Sequence, residues 1–205
     1  MLAAPGPVDA NGGFWTAAEG TAERTGHPPT NRLDPSHPGL QQRPGQKRGP
    51  VTGPNPTDRA KAGTKHHVAT DGRGLPLAVL LSGANVHDKK MALSVVDAIP
   101  AIQGPRGRPR RRPGKLHADK AYDAADLRRE LRRRGITPRI ARRGIESSQR
   151  LGRYRWVVER TLAWLHGMKR LRVREERRAD IHLALLQLGC SIILLRKLME
   201  RRGSR

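Results

Sequence analysis

The stretch from Lys115 to Ala141 constrains the fold more than any other part of this chain, because it alternates strand, helix and strand within one short span. Lys115-Leu116-His117-Ala118-Asp119-Lys120-Ala121 reads as a short strand. Asp123 is placed to cap a helix running from Ala124 to about Arg134, and Gly135 ends that helix. Ile136 to Ala141 reads as a second strand. Such alternation calls for a parallel or mixed sheet with helices packed on it. Upstream, His66-His67-Val68-Ala69-Thr70 and Leu75 to Leu81 flank the turn Asp71-Gly72-Arg73-Gly74, the pattern of an antiparallel hairpin. Between these blocks, Met91, Leu93, Val95, Val96 and Ile99 fall on one helical face, with Asp88 placed as the cap and Pro100 as the stop. Two further helices, Tyr154 to about Leu171 and Asp180 to about Glu200, close the chain. The fold class is therefore α/β, a mixed sheet with flanking helices.

Residues 1–62 are rich in Gly, Pro, Asn and Thr, and their scattered hydrophobics fit neither a period of 2 nor one of 3.6. The expected organisation is a mostly disordered, degenerate segment over residues 1–50 followed by one domain over 51–200, since 205 residues suit a single core. A net charge of +23 implies a polyanionic partner, and nucleic acid is the commonest. Aromatic residues make up only 3%, which disfavours single-strand binding by stacked bases and favours duplex backbone contact. Cys190, the one cysteine, lies in the apolar run Leu183–Leu195 and reads as a buried core residue in a reducing cytoplasm. That run is about 13 residues, short of the roughly 20 that cross a bilayer, so no membrane role is expected. The N-terminus shows no secretion signal.

Two acids stand out in so basic a chain. Asp119 falls at the C-terminal end of a predicted strand, where open sheets present catalytic groups, and reads either as a metal ligand or as a simple loop carboxylate. Glu159 lies four residues after Arg155 in a helix whose core candidates are Trp156, Val157, Leu162 and Leu165; a surface ion pair is the simple alternative there. Converging acids need a divalent cation between them, and Mg2+ takes one or two carboxylates plus substrate phosphate oxygens, which is nuclease-like chemistry. Nucleotide-binding, zinc and serine-hydrolase motifs do not occur; His66, His67 and His87 are weak ligand candidates. Residues 104–114 carry Arg106, Arg108, Arg110, Arg111 and Arg112 on a loop that reads as a phosphate clamp or as a solvated linker.

From about Asp34 to Leu198 the chain resembles insertion-sequence transposases of the Asp-Asp-Glu type. The resemblance rests on Thr52-Gly53-Pro54-Asn55-Pro56-Thr57-Asp58-Arg59, Gly63-Thr64-Lys65-His66-His67, Ala118-Asp119-Lys120-Ala121-Tyr122-Asp123, the block Arg155 to Leu165, and Lys169-Arg170-Leu171-Arg172-Val173-Arg174. It implies a ribonuclease-H-like catalytic domain in which Asp34, Asp119 and Glu159 hold Mg2+ or Mn2+, with Arg155 one turn before the last acid. It also implies hydrolysis at the 3' side of each transposon end, followed by attack of the freed 3' hydroxyl on target DNA. Arg155, Arg106, Arg108, Arg110, Arg111, Arg112, Lys169 and Arg170 would meet DNA phosphates, and such enzymes usually work as dimers or larger assemblies.

The chain departs from the related pattern in three places. Prolines surround Asp34, whose leading strand should be rich in β-branched residues; Gly152 stands where a tyrosine is usual; and His166 replaces a lysine. The helical DNA-binding domain usual ahead of the first acid does not fit into 33 Gly/Pro-rich residues, so the chain reads as N-terminally truncated or frame-disrupted. A catalytically inactive remnant that only binds DNA is the alternative. A ribosomal or RNA-binding protein is a third reading, one that gives no reason for Asp119 and Glu159 in their settings.

Overall fold

The computed structural model describes residues 13–23, 49–56, 62–104, 107–142 and 148–203, with the backbone course alone over 13–23 and 148–155. In chain order the elements are β1 (Gly13–Glu23), β2 (Gly53–Pro54), β3 (Ala62–Thr70), β4 (Pro76–Gly83), α1 (Asp88–Asp97), β5 (Lys115–Ala118), α2 (Ala125–Arg133), β6 (Thr137–Ile140), α3 (Ser148–His166), α4 (Lys169–Arg172), β7 (Val173–Arg174) and α5 (Ala179–Gly203).

One mixed sheet organises them. Its main path runs β2-β3-β1-β5-β6, with β4 paired to β3 and β7 to β1. β1 and β3 are antiparallel, as are β3 and β4, whereas β5 runs parallel to both β1 and β6. The hairpin and the strand-helix-strand unit of the sequence are both present.

Strand alternation sorts the side chains onto two faces. Leu116 and Ala118 of β5 are buried with Ala92 and Val96 of α1 and with Leu127 and Leu131 of α2. Val68 of β3 is buried on the other face with Val158, Leu162 and Leu165 of α3 and with Leu186, Cys190 and Ile193 of α5. The sheet is thus sandwiched between an α1/α2 layer and an α3/α5 layer. Cys190 is a core residue as expected, and burial pushes its thiol up to about 12.

The front of the chain needs correction. The residue pattern of 1–50 predicts no ordered element, yet Gly13–Glu23 forms the strand between β3 and β5. A strand with neighbours on both sides gains its stability from two hydrogen-bond ladders, not from its own residue pattern, so periodicity does not expose it.

Three local expectations also change. His87, not Asp88, caps α1, its Nδ1 accepting from the Lys89 amide at 3.3 Å; Asp88 instead pairs with Lys65 Nζ at 2.8 Å. Ala124 is the N-cap of α2 without a side-chain bond, because Asp123 accepts from Arg128 Nε and Nη2 at 2.9 and 2.8 Å. The helix expected from Tyr154 to Leu171 breaks at Gly167 into α3 and α4. Gly135, in contrast, ends α2 at a φ of 76° as anticipated.

α5 is longer than its apolar run. Over Ala179–Gly203 it is long and apolar enough to cross a membrane by length and composition, so the 13-residue run understates the helix. In this fold its inner side is spent on the core through His182, Leu186, Gly189, Cys190 and Ile193. Ile181, Leu188, Leu195 and Met199 are exposed on its outer side.

Candidate active site on the face covered by α3

Asp119 follows β5 directly and is still extended, with φ −78° and ψ −178°. Leu116 and Ala118 turn toward α1 and α2, so alternation carries His117 and Asp119 to the face that α3 covers. The carboxylate accepts from the Ala121 amide at 2.6 Å, capping the 3-10 turn Lys120–Tyr122, whose Tyr122 is buried in the core on the α1/α2 side. Asp119 is therefore held by a short local bond at the C-terminal end of a strand, not left on a loose loop. His117, half-buried on the same face, is pushed down to about 4 by burial and by Arg139 and Lys115, so it is neutral at pH 7.

Glu159 is exposed on α3. The helix packs on β1 and β3, with Val158, Leu162 and Leu165 inward as the sequence suggested. Trp156, expected in the core, is 49% exposed and lies under the Arg160 guanidinium, 4.3 Å from its ring centre. Thr161 and the Val157 carbonyl face Gly74 in the β3–β4 turn. At about 100° per residue, Glu159 lies roughly 160° around the axis from both, on the flank turned away from the hairpin. In the sheet order β1 and β5 lie on that side of β3. Asp119 thus lies on the face of the sheet that α3, the helix of Glu159, packs against.

Asp34 and Arg106 lie outside the described residues, as does the side chain of Arg155. The strand expected to lead into Asp34 is not the one beside β5: that place belongs to Gly13–Glu23, where Thr16 pairs with Ala118. The β1 residues nearest that register, Trp15, Thr16, Ala17 and Ala18, include no carboxylic acid.

Arg108, Arg110, Arg111 and Arg112 are all exposed around a shallow concavity that also involves Ala101 and Pro109. The loop is not featureless, since the Arg110 amide and carbonyl bond reciprocally with Ile102 at 2.9 Å. Lys169 is exposed. Arg170 is paired within the fold, with Glu176 accepting hydrogen bonds from its Nε, at 2.9 Å, and from its Nη2.

The histidines have structural employment. His166 Nε2 lies 3.3 Å from His66 Nδ1, His66 Nε2 lies 2.9 Å from His182 Nε2, and His182 Nδ1 lies 3.1 Å from Glu176 Oε2. One tautomer set satisfies all three contacts: His166 donates to His66, His66 to His182, and His182 to Glu176. Burial first, then His182 and His166, pushes His66 down to about 3. His67 is buried against Ser82 Oγ at 2.7 Å, and His87 is the α1 cap. His166, where the resemblance implies a lysine, lies against His66.

Among the described residues no group of three or more His, Cys, Asp or Glu side chains could hold a metal. Asp119 and Glu159 supply hard oxygen donors on one face, a set that suits a divalent ion completed by substrate phosphate. Sequence reasoning passed over Arg160, Thr161 and Gly74, which join α3 to the hairpin; the Gly-bearing turn was the available signal.

Comparison with known proteins identifies the family. The family described as the transposase DDE domain matches residues 29–194, a span that includes Asp34, Asp119 and Glu159 but not β1. A Burkholderia cepacia protein, whose name assigns it provisionally as the transposase for insertion sequence element IS402, is 59% identical over 144 residues. That alignment covers 70% of this chain and 68% of the relative. With most of its length matched by the family and two-thirds aligned to such a relative, the chain belongs to the DDE-domain transposases of insertion sequences.

Proposed function

We propose that this chain performs metal-dependent cleavage and strand transfer at insertion-sequence ends, on a ribonuclease-H-like domain over residues 51–200 completed by β1. The order β4-β3-β1-β5-β6, with an antiparallel meander followed by two strands parallel to β1, supports that fold. The observation that carries the reading is the placement of Asp119 at the end of β5 on the face covered by α3, the helix of Glu159. These two carboxylates would hold Mg2+ or Mn2+, which when bound supplies Lewis-acid stabilisation of phosphodiester displacement. Asp34 is the remaining acid implied by the resemblance. Arg155, Arg106, Lys169 and the exposed Arg108, Arg110, Arg111 and Arg112 would neutralise phosphates of duplex DNA, both transposon ends and target. Action as a homodimer associated with the nucleoid, in the cytoplasm, belongs to the same proposal.

The test uses purified full-length chain, labelled transposon-end duplex and Mg2+ or Mn2+. Cleavage that Asp119→Asn or Glu159→Gln abolishes is expected; unchanged cutting by either variant overturns the assignment. The register between β1 and β5 favours a second reading, a DNA-binding remnant without catalysis, because the strand beside Asp119 brings no acid to that position. Salt-sensitive duplex binding without metal-dependent nicking selects this second reading.

A further inference from the structure

The β3–β4 turn is a rigid bracket, and two residues of α3 are fastened to it. Asp71 Oδ1 accepts from the amides of Arg73 and Leu75 at 2.9 and 2.8 Å, while the Asp71 carbonyl accepts from Gly74 N at 3.0 Å. The Asp71 amide in turn donates to Leu75 O at 3.0 Å. These bonds lock the turn and leave the carbonyls of Arg73 and Gly74 to be met from α3. Arg160 Nη2 donates to Arg73 O at 2.7 Å, and Thr161 Oγ1 donates to Gly74 O at 2.7 Å.

Both donors are prepared for the task. Thr161 is fully buried, and the Arg160 guanidinium stacks over Trp156 and Trp164, one turn behind and one turn ahead, at 4.3 and 4.9 Å. The approach is close enough to require glycine at position 74. A Cβ there would stand 3.0 Å from Thr161 Oγ1, 3.1 Å from Arg160 Nη2 and 3.3 Å from Val157 O, and φ is +84°.

These bonds set the one degree of freedom that apolar packing specifies poorly, rotation of the helix about its own axis. Val158, Leu162 and Leu165 fix which broad face of α3 lies on the sheet, but dispersion forces tolerate a slide or roll of some degrees. Two directed hydrogen bonds to a rigid turn do not. Because Glu159 is the residue immediately before this pair, any roll of α3 moves its carboxylate directly.

We propose that Thr161 and Arg160 are positioning residues, which by binding the Gly74 and Arg73 carbonyls fix the rotation of α3 and hence the reach of Glu159 toward a divalent ion shared with Asp119. The inference rests on the proposed role of Glu159 and Asp119 as metal ligands.

The experiment reads metal binding, not turnover. The full-length chain is titrated with Mn2+ and free ion is followed by electron paramagnetic resonance, with thermal unfolding recorded for each variant. Thr161→Val keeps the volume and removes the donor, and Thr161→Ser restores the donor. Arg160→Met tests the second bond independently, should Thr161→Val not fold. Asp119→Asn and Glu159→Gln are the ligand controls.

Thr161→Val and Arg160→Met are each expected to weaken Mn2+ binding about tenfold, the scale on which residues that orient metal ligands act. Thr161→Ser should stay within about twofold of the parent chain. Loss in Glu159→Gln with parental affinity in folded Thr161→Val and Arg160→Met overturns the positioning role and leaves the metal site standing. Weakening in Thr161→Val that Thr161→Ser does not repair also overturns it. Parental affinity in both Asp119→Asn and Glu159→Gln, or a parent chain that takes up no Mn2+, removes the metal reading and the inference with it.

Discussion

Lowering the pH from 7.5 to 5 should cost this protein a large part of its stability through two buried histidines. His66 and His67 are 0% and 1% exposed, and burial pushes them down to about 3 and about 4 from the ordinary value of 6.5. For His66 the neighbours His182 and His166 push in the same direction. A base whose folded pKa is depressed takes up its proton less readily when folded. The unfolded chain therefore binds more protons between the two values, and stability is present above pH 6.5 and lost as pH falls below it. At 1.36 kcal/mol per unit, pH 5 lies 1.5 units below the unfolded value, so each histidine costs about 2 kcal/mol there and the pair about 4. Net stability of a domain is only about 5–15 kcal/mol. The cost also has a geometric reading: a proton added to His66 puts donors face to face across either its 3.3 Å approach to His166 or its 2.9 Å approach to His182.

The carboxylates act in a different window. Glu176 is held below the usual range because hydrogen bonds from Arg170 and His182 outweigh its burial, so its contribution is lost only at lower pH. Urea unfolding followed by tryptophan fluorescence at pH 7.5, 6 and 5, at constant ionic strength, measures the slope. His66→Gln should remove about a third of the pH dependence whatever it does to stability at pH 7.5, because His117, pushed down to about 4, loses stability in the same window as His66 and His67. A midpoint that does not move between pH 7.5 and 5 refutes the reasoning.

Two other perturbations follow from the same structure. Arg174 is 1% exposed and donates to Thr64 Oγ1 at 2.7 Å, Thr52 Oγ1 at 3.0 Å, Glu176 O at 2.9 Å, and Pro50 O and Arg177 O at 3.1 Å. Arg174→Met leaves these acceptors without their donor and should destabilise by about 3–5 kcal/mol in urea unfolding, with Arg174→Lys restoring only part, since an ammonium cannot span the fork. Replacing Arg110, Arg111 and Arg112 together by Gln should leave the unfolding midpoint nearly unchanged. It should flatten the dependence of log K on log salt for duplex DNA by up to about 0.9 for each phosphate that is no longer neutralised, which filter binding or fluorescence anisotropy measures.

Much of the architecture was legible in the residues because it is encoded locally. The turn Asp71-Gly72-Arg73-Gly74 carries its own hydrogen bonds, Gly135 supplies the positive φ that ends α2, and Leu116 and Ala118 alternate with His117 and Asp119 as a strand must. The position of Asp119 at a strand end and of Glu159 on a helix needed no more than this. Local caps were harder, because Asp88 and Asp123 had long cations within reach, Lys65 and Arg128, and pairing with them displaced the capping geometry that their sequence positions suggest.

The sequence by itself determined the α/β class, the hairpin, the strand-helix-strand unit and the place of Asp119 at a strand end and of Glu159 on a helix. Only the tertiary structure decided that Gly13–Glu23 is the strand beside β5, that α3 stops before Gly167, that Arg174 and the buried His66, His67 and His182 are structural, and that Arg160 and Thr161 fasten α3 to the hairpin. The division has a physical cause. Turns, caps and alternating strands are stabilised by neighbours a few residues away, whereas a central strand, a buried cation and the rotation of a helix depend on partners brought together from distant parts of the chain.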